Sequence, residues 1–139
     1  MSDQMIGQGP GNLVPDSEVK KYLSSAAVVV GQCVGISGTT GYTAGPCNVT
    51  TIPGFGIALT AASAAGEWFD VCVSGYCALA TNDGTNVVLG DLLYSGASGT
   101  VTPLVNGAAQ TLVAGGLVGQ ANASETGTSC VGITVFKKL

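Results

Sequence analysis

Glu67-Trp68-Phe69-Asp70-Val71-Cys72-Val73-Ser74-Gly75-Tyr76-Cys77-Ala78-Leu79-Ala80 is the stretch that decides the fold. Phe69, Val71 and Val73 alternate with Trp68, Asp70, Cys72 and Ser74, the period of two that marks a strand with one face buried. Gly75 predicts a kink or bulge in that strand. Asn82-Asp83-Gly84 follows as a turn, because Asn and Asp bond their own backbone and Gly accepts a left-handed conformation.

The pattern continues in both directions. Upstream, Ala26 to Ile36 is β-branched and runs into a Ser/Gly/Thr loop at Gly35 to Gly41. Asn48 to Ile52 is a short strand stopped by Pro53-Gly54, and Phe55 to Thr60 precedes the small-residue turn Ala61 to Gly66. Downstream, strands are expected at Leu89 to Tyr94, Thr100 to Leu104, Thr111 to Ala114, Leu117 to Ala121 and Cys130 to Phe136. No stretch reads as a helix of normal length. Short strands at this spacing predict an all-β fold, a compact β-sandwich or β-barrel, as one domain over residues 25–139.

Residues 1–24 read as an extended N-terminal arm. Gly7, Gly9, Pro10, Gly11 and Pro15 break any period, and Ser17 to Leu23 is long enough for one helical turn at most. Such a segment is either an inconsequential terminus or an arm that orders on a neighbouring subunit. Its apolar and cationic teeth make Leu13, Val14, Lys20, Lys21, Tyr22 and Leu23 the candidate partner contacts. The body also carries an internal echo. Ile57-Ala58, Ala62-Ser63 and Gly66 before a strand recur as Val118-Gly119, Ala123-Ser124 and Gly127 before a strand.

Charge restricts function further. Charged residues are 9% of the 139, against roughly 25% in an ordinary soluble domain. A monomer of this size exposes on the order of 6,500 Å², covered here by Ser, Thr, Gly, Asn and small apolar groups. That suits a surface buried against copies of itself or a larger partner; the other reading is a hydroxyl-rich secreted domain. Between Tyr22 and Phe136 lie Glu67, Asp70, Asp83, Asp91 and Glu125 and no basic residue. Phosphate neutralisation and attachment to an anionic membrane both need a basic patch, so neither nucleic acid nor membrane is an expected partner. No basic and apolar leader opens the sequence, which places synthesis in a cytoplasm without a signal peptide.

Catalysis has few tools here. Without His there is no Ser-His-Asp triad or Cys-His dyad, and without Arg no guanidinium clamp for an oxyanion or a phosphoryl group. A carboxylate hydrolase needs two acids on one side of a cleft, whereas Glu67 and Asp70 point to opposite faces of a strand. The chain is therefore read as no enzyme, with no catalytic, cofactor or metal site. The cysteines are Cys33, Cys47, Cys72, Cys77 and Cys130, an odd count without a CxxC. Buried reduced thiols are one reading and disulfides formed in an oxidising medium the other, with Cys72 and Cys77 the most local pair. Two glycosylation sequons, at Asn48 and Asn122, are expected by chance in a chain this rich in Ser and Thr.

Three signatures carry a family resemblance. The first is Ile57-Ala58-Leu59-Thr60-Ala61-Ala62-Ser63-Ala64-Ala65-Gly66-Glu67 before a Val-rich strand and Gly75. The second is Gly90-Asp91-Leu92-Leu93-Tyr94 with a Gly-rich loop into Thr100-Val101-Thr102. The third is Leu117-Val118-Gly119-Gln120-Ala121 with a turn through Gly127 and a closing apolar strand. In order and spacing, over about residues 26–136, they resemble the capsid decoration, or cement, proteins of tailed bacteriophages. The five cysteines and the Pro/Gly-containing arm depart from that pattern. The resemblance implies a structural virion protein that sits on the outer capsid surface, binds the major capsid protein where its subunits meet, and is usually a homotrimer, with a dimer as the variant. The alternative from another class is a tail-fibre or cell-surface receptor-binding β-module.

Overall fold

The computed structural model describes residues 17–49, 51–104, 116–126 and 130–138. Among the described residues nine strands form: β1 (Glu18–Ser24), β2 (Cys33–Ile36), β3 (Thr43–Pro46), β4 (Gly54–Ala58), β5 (Trp68–Thr81), β6 (Leu92–Ser95), β7 (Val101–Pro103), β8 (Leu117–Ala121) and β9 (Cys130–Val135). A three-residue 3-10 turn, Ala97–Gly99, lies between β6 and β7. The fold is all-β, and its centre is a barrel.

The alternation read in β5 sets the inside of that barrel. Phe69, Val71 and Val73 are buried together with Tyr22, Val34, Ala44, Phe55 and Ala58. The strand order is β1-β3-β2-β4-β5, and β5 returns to β1 in antiparallel register, Lys20 opposite Val71 and Tyr22 opposite Phe69. Closure leaves five strands around one apolar plug. At Gly75, φ of +92° turns β5 out of this barrel. Its second half pairs with β9, and the order continues β9-β8-β6-β7. A parallel bridge between Asn82 and Val101 brings β7 back to the end of β5, closing a second ring of five.

The two rings are one motif used twice, with β5 shared as the last strand of the first and the first strand of the second. In β2–β4, Cys33 faces Ile57, Val34 faces Gly56, and the register then slips to Gly35 opposite Gly54. In β6–β8, Leu92 faces Gln120, Leu93 faces Gly119, and the register slips to Tyr94 opposite Leu117. The entry turns match as well. Gly31 N–H donates to Ala58 O at 2.9 Å and Gly90 N–H to Ala121 O at 3.0 Å. Gln32 Oε1 accepts from Val29 N and Asp91 Oδ2 from Val88 N, each at 2.9 Å. The parallel contact of Ser24 with Ala44 in the first ring is the Asn82–Val101 bridge of the second. The internal echo is thus structural, but its register moves by two residues: Gly119 matches Gly56, not Ala58.

Other expectations shift. Residues 18–24, placed in the arm or in one helical turn, form β1 and wall the barrel. Their polar composition conceals that Tyr22 and Ser24 alone need to point inward. The run from Ala26 to Ile36 divides: Val28 bridges Ala62, Gly31 turns the chain at φ +93°, and β2 starts at Cys33. Instead of a strand at Asn48 to Ile52, the Asn48 carboxamide oxygen accepts from Thr51 N at 2.6 Å and Ile52 N at 3.0 Å, an Asx-type loop. The strand expected at Thr111 to Ala114 lies outside the described residues.

Candidate interaction surface

β1 and the first half of β5 present one outward face. Along β1, Tyr22 and Ser24 point into the barrel, whereas Val19, Lys21 and Leu23 point out. The Tyr22 ring lies 4.9 Å from Phe55 in the core, so Tyr22, a candidate partner contact in the sequence, packs inside the barrel. Lys21 is exposed, and its ammonium meets Asp70 Oδ1 at 2.8 Å. Lys20 is exposed too. Leu13 and Val14 lie outside the described residues.

Leu23 leads to the residues that sequence reasoning missed. Its N–H donates to Tyr42 O at 2.8 Å on one side, and Trp68 is its register partner on the other. The Tyr42 and Trp68 rings stack with centroids 6.0 Å apart and planes 20° from parallel. Both remain open to solvent, Tyr42 at 52% and Trp68 at 58%. Only the outward phase of Trp68 was legible in the sequence, since its stacking partner comes from a loop 26 residues upstream.

The base under this pair is tied by hydrogen bonds. Ser24 Oγ donates to Ala64 O at 2.7 Å and accepts from Glu67 N at 3.0 Å. Ser24 and the 66–67 backbone exchange two further bonds, Ser24 N to Glu67 O at 2.7 Å and Gly66 N to Ser24 O at 2.8 Å. The Glu67 carboxylate accepts from Ser63 Oγ at 2.6 Å and Ser63 N at 2.9 Å. Those bonds, the hydroxyl's first, hold the Glu67 carboxyl below its ordinary 4.5. A depressed carboxyl stabilises the fold above its ordinary value, and that contribution is lost as pH falls through the depressed one. Trp68 emission is therefore expected to stay constant from about pH 7 to pH 5 and to change below the ordinary carboxyl value. Glu67→Gln, which does not titrate, flattens that transition in a fluorescence titration.

Four of the cysteines lie elsewhere, buried at the seam between the rings. Cys33, Cys47, Ile57 and Cys72 turn away from the first barrel and join Cys77, Leu93, Val118 and Ile133 in one buried cluster. All five cysteines are free thiols, and Cys130 is exposed. Cys72 and Cys77 flank the Gly75 bend, and both side chains lie in this cluster. Cys72 brings the Cys77 thiol down to about 7, while Cys72 is pushed up by Cys77 and by burial.

This all-β body, with its exposed aromatic pair, matches a family model described as phage cement protein over residues 14–133. The chain belongs to the phage cement protein family. Its fold is similar to the N base of head fiber gp8.5 in bacteriophage phi29, with a TM-score of 0.59 over 89% of this chain and 98% of that one at 16% identity. No curated protein matches the sequence significantly. Membership of the cement family makes this chain a capsid-associated structural protein of a phage virion and not an enzyme.

Proposed function

We propose that this cement-family protein binds the outer surface of the mature capsid, contacts the major capsid protein, and stabilises the seams between capsomers. The observation that carries the reading is the Tyr42–Trp68 stack, exposed on a hydrogen-bonded base in a chain with few charges. Exposed aromatics on a rigid support are the anchors that dominate protein interfaces, because they bury large area at little entropic cost. A ligand specific for the mature lattice stabilises that lattice by mass action. A homo-oligomer, the trimer first, multiplies the effect by holding several sites at once.

Purified protein is expected to co-sediment with mature heads that lack it, at a stoichiometry close to that of the major capsid protein. A few copies confined to the tail would favour the receptor-binding reading instead, and no co-sedimentation would end the proposal. The arm has its own arm of the experiment. Truncation belongs at residue 16 rather than within β1, where it would open the barrel. Removal of residues 1–16, with Leu13 and Val14, is expected to weaken head binding while the thermal midpoint holds; full occupancy by the truncated chain removes the arm from the mechanism.

A further inference from the structure

The four buried cysteines of the seam form two thiol pairs, and the pairs differ in how the fold makes them. Cys33 and Cys47 continue the β2–β3 ladder one step beyond Val34 opposite Pro46, and Cys47 N–H donates to Cys33 O at 2.9 Å. Residues directly opposite in an antiparallel pair have Cα atoms roughly 4.5–5.5 Å apart, inside the roughly 4.4–6.8 Å range that disulfides span. Both side chains are buried in the same cluster, and each thiol shifts the other. Cys72 and Cys77 are five residues apart on one strand. A straight strand would separate them by about 16 Å and turn them to opposite faces. The Gly75 bend, at φ +92°, turns both side chains into the one buried cluster instead. Among the described residues, no three His, Cys, Asp or Glu side chains are grouped to share a metal ion, so the pairs do not merge into one metal centre.

We propose that Cys33–Cys47 and Cys72–Cys77 are disulfide sites that close when the protein passes from a reducing to an oxidising medium. They lock the strands lining the seam and the bend that sets one barrel against the other. The oxidant class is a low-molecular-weight disulfide such as glutathione disulfide. The Cys77 thiolate attacks one of its sulfurs, the S–S bond breaks and one glutathione thiolate leaves. The Cys72 thiolate then attacks the mixed disulfide and expels the second glutathione. Two electrons pass to the oxidant, and the two thiol protons end on two glutathione molecules. Cys47 plays the attacking part in the other pair. Its Sγ–H points at Gly96 O (3.6 Å) and Thr100 O (3.5 Å), and Gly99 N–H donates to Cys47 O at 2.9 Å, so the 3-10 turn between β6 and β7 covers it. That turn holds Ser98 at φ +55°, a left-handed conformation that is strained outside glycine. Opening it uncovers the thiol. The ammonium of Lys138, bonded to Gly54 O at 2.7 Å, lies close enough to favour thiolate in this pair.

The test uses the full chain, reduced, then incubated with glutathione disulfide, unfolded, and alkylated. One alkylated thiol, Cys130, and a mass lower by two disulfides are expected, with a rise in thermal midpoint of about 10 °C that reductant reverses. Trypsin finds no site between Tyr22 and Phe136, but chymotrypsin cuts after Tyr42 and Tyr76 and so separates the members of each pair for mapping. Cys47→Ser and Cys77→Ser are each expected to remove one cross-link and leave the other. Five alkylated thiols, crossed pairs, or a glutathione adduct confined to Cys130 would overturn the proposal. The readout is made on isolated protein, so it stands or falls apart from capsid binding.

Discussion

Gly119→Val is expected to destabilise the protein by about 3 kcal/mol, and Gly56→Val by a similar amount. A Cβ on Gly119 collides with the Thr134 carbonyl and presses on Ile133 Cγ1, and a Cβ on Gly56 collides with the Cys72 carbonyl and Val71 Cγ1. In both places the obstacle includes the backbone of the next barrel strand, which cannot rotate out of the way as a side chain can. Relief requires β8 to leave β9 or β4 to leave β5, which breaks the ring. Gly41 serves as the control, since a Cβ there meets open space; Gly41→Ala is expected to change stability by less than about 0.5 kcal/mol. Denaturant unfolding of the three variants decides the matter. A Gly119→Val protein with an unchanged midpoint would contradict the repeated register. Similar losses at both sites would tie the two rings to one packing rule.

The second large effect is on binding. Trp68→Ala is expected to weaken attachment to mature heads about 30-fold, the equivalent of a 2 kcal/mol hot spot. Its thermal midpoint should move little, because the side chain is more than half exposed. Tyr42→Ala should act in the same direction, by removing the ring on which Trp68 rests. Val88 offers the contrast: it is as exposed as Trp68 but sits on the entry turn of the second ring, and Val88→Ala is expected to bind normally. Co-sedimentation over a concentration series separates these outcomes. Wild-type occupancy by Trp68→Ala, or loss of binding on changing Val88, would move the contact surface elsewhere.

Local features of this fold were legible, and pairings distant in sequence were not. The phase of β5 followed from Phe69, Val71 and Val73 because burial on one face imposes a period of two, and Gly75 marked its own bend. β1 was hidden because only Tyr22 and Ser24 face the core, and the lysines and glutamate around them look like a solvated arm. The Tyr42–Trp68 stack depends on β1 running parallel beside β3, a pairing for which neither strand carries a local mark. The cysteine pairs show both cases. Cys72 and Cys77 drew attention by proximity along the chain, while Cys33 and Cys47 are joined by a ladder whose second strand, Thr43–Pro46, had no assignment in the sequence. The non-enzymatic assignment needed no structure, since it rested on the missing His and Arg.

Because β5 is one covalent strand serving two rings, neither ring can be excised as a smaller protein. A cut placed near Gly75 leaves each half with a gap in its wall, and a chain shortened from either end opens the barrel it enters. The same continuity governs load. If one ring is gripped and the other pulled, tension travels along a single backbone whose hydrogen bonds to β1, β4 and β9 are sheared together, instead of peeling apart an interface one contact at a time.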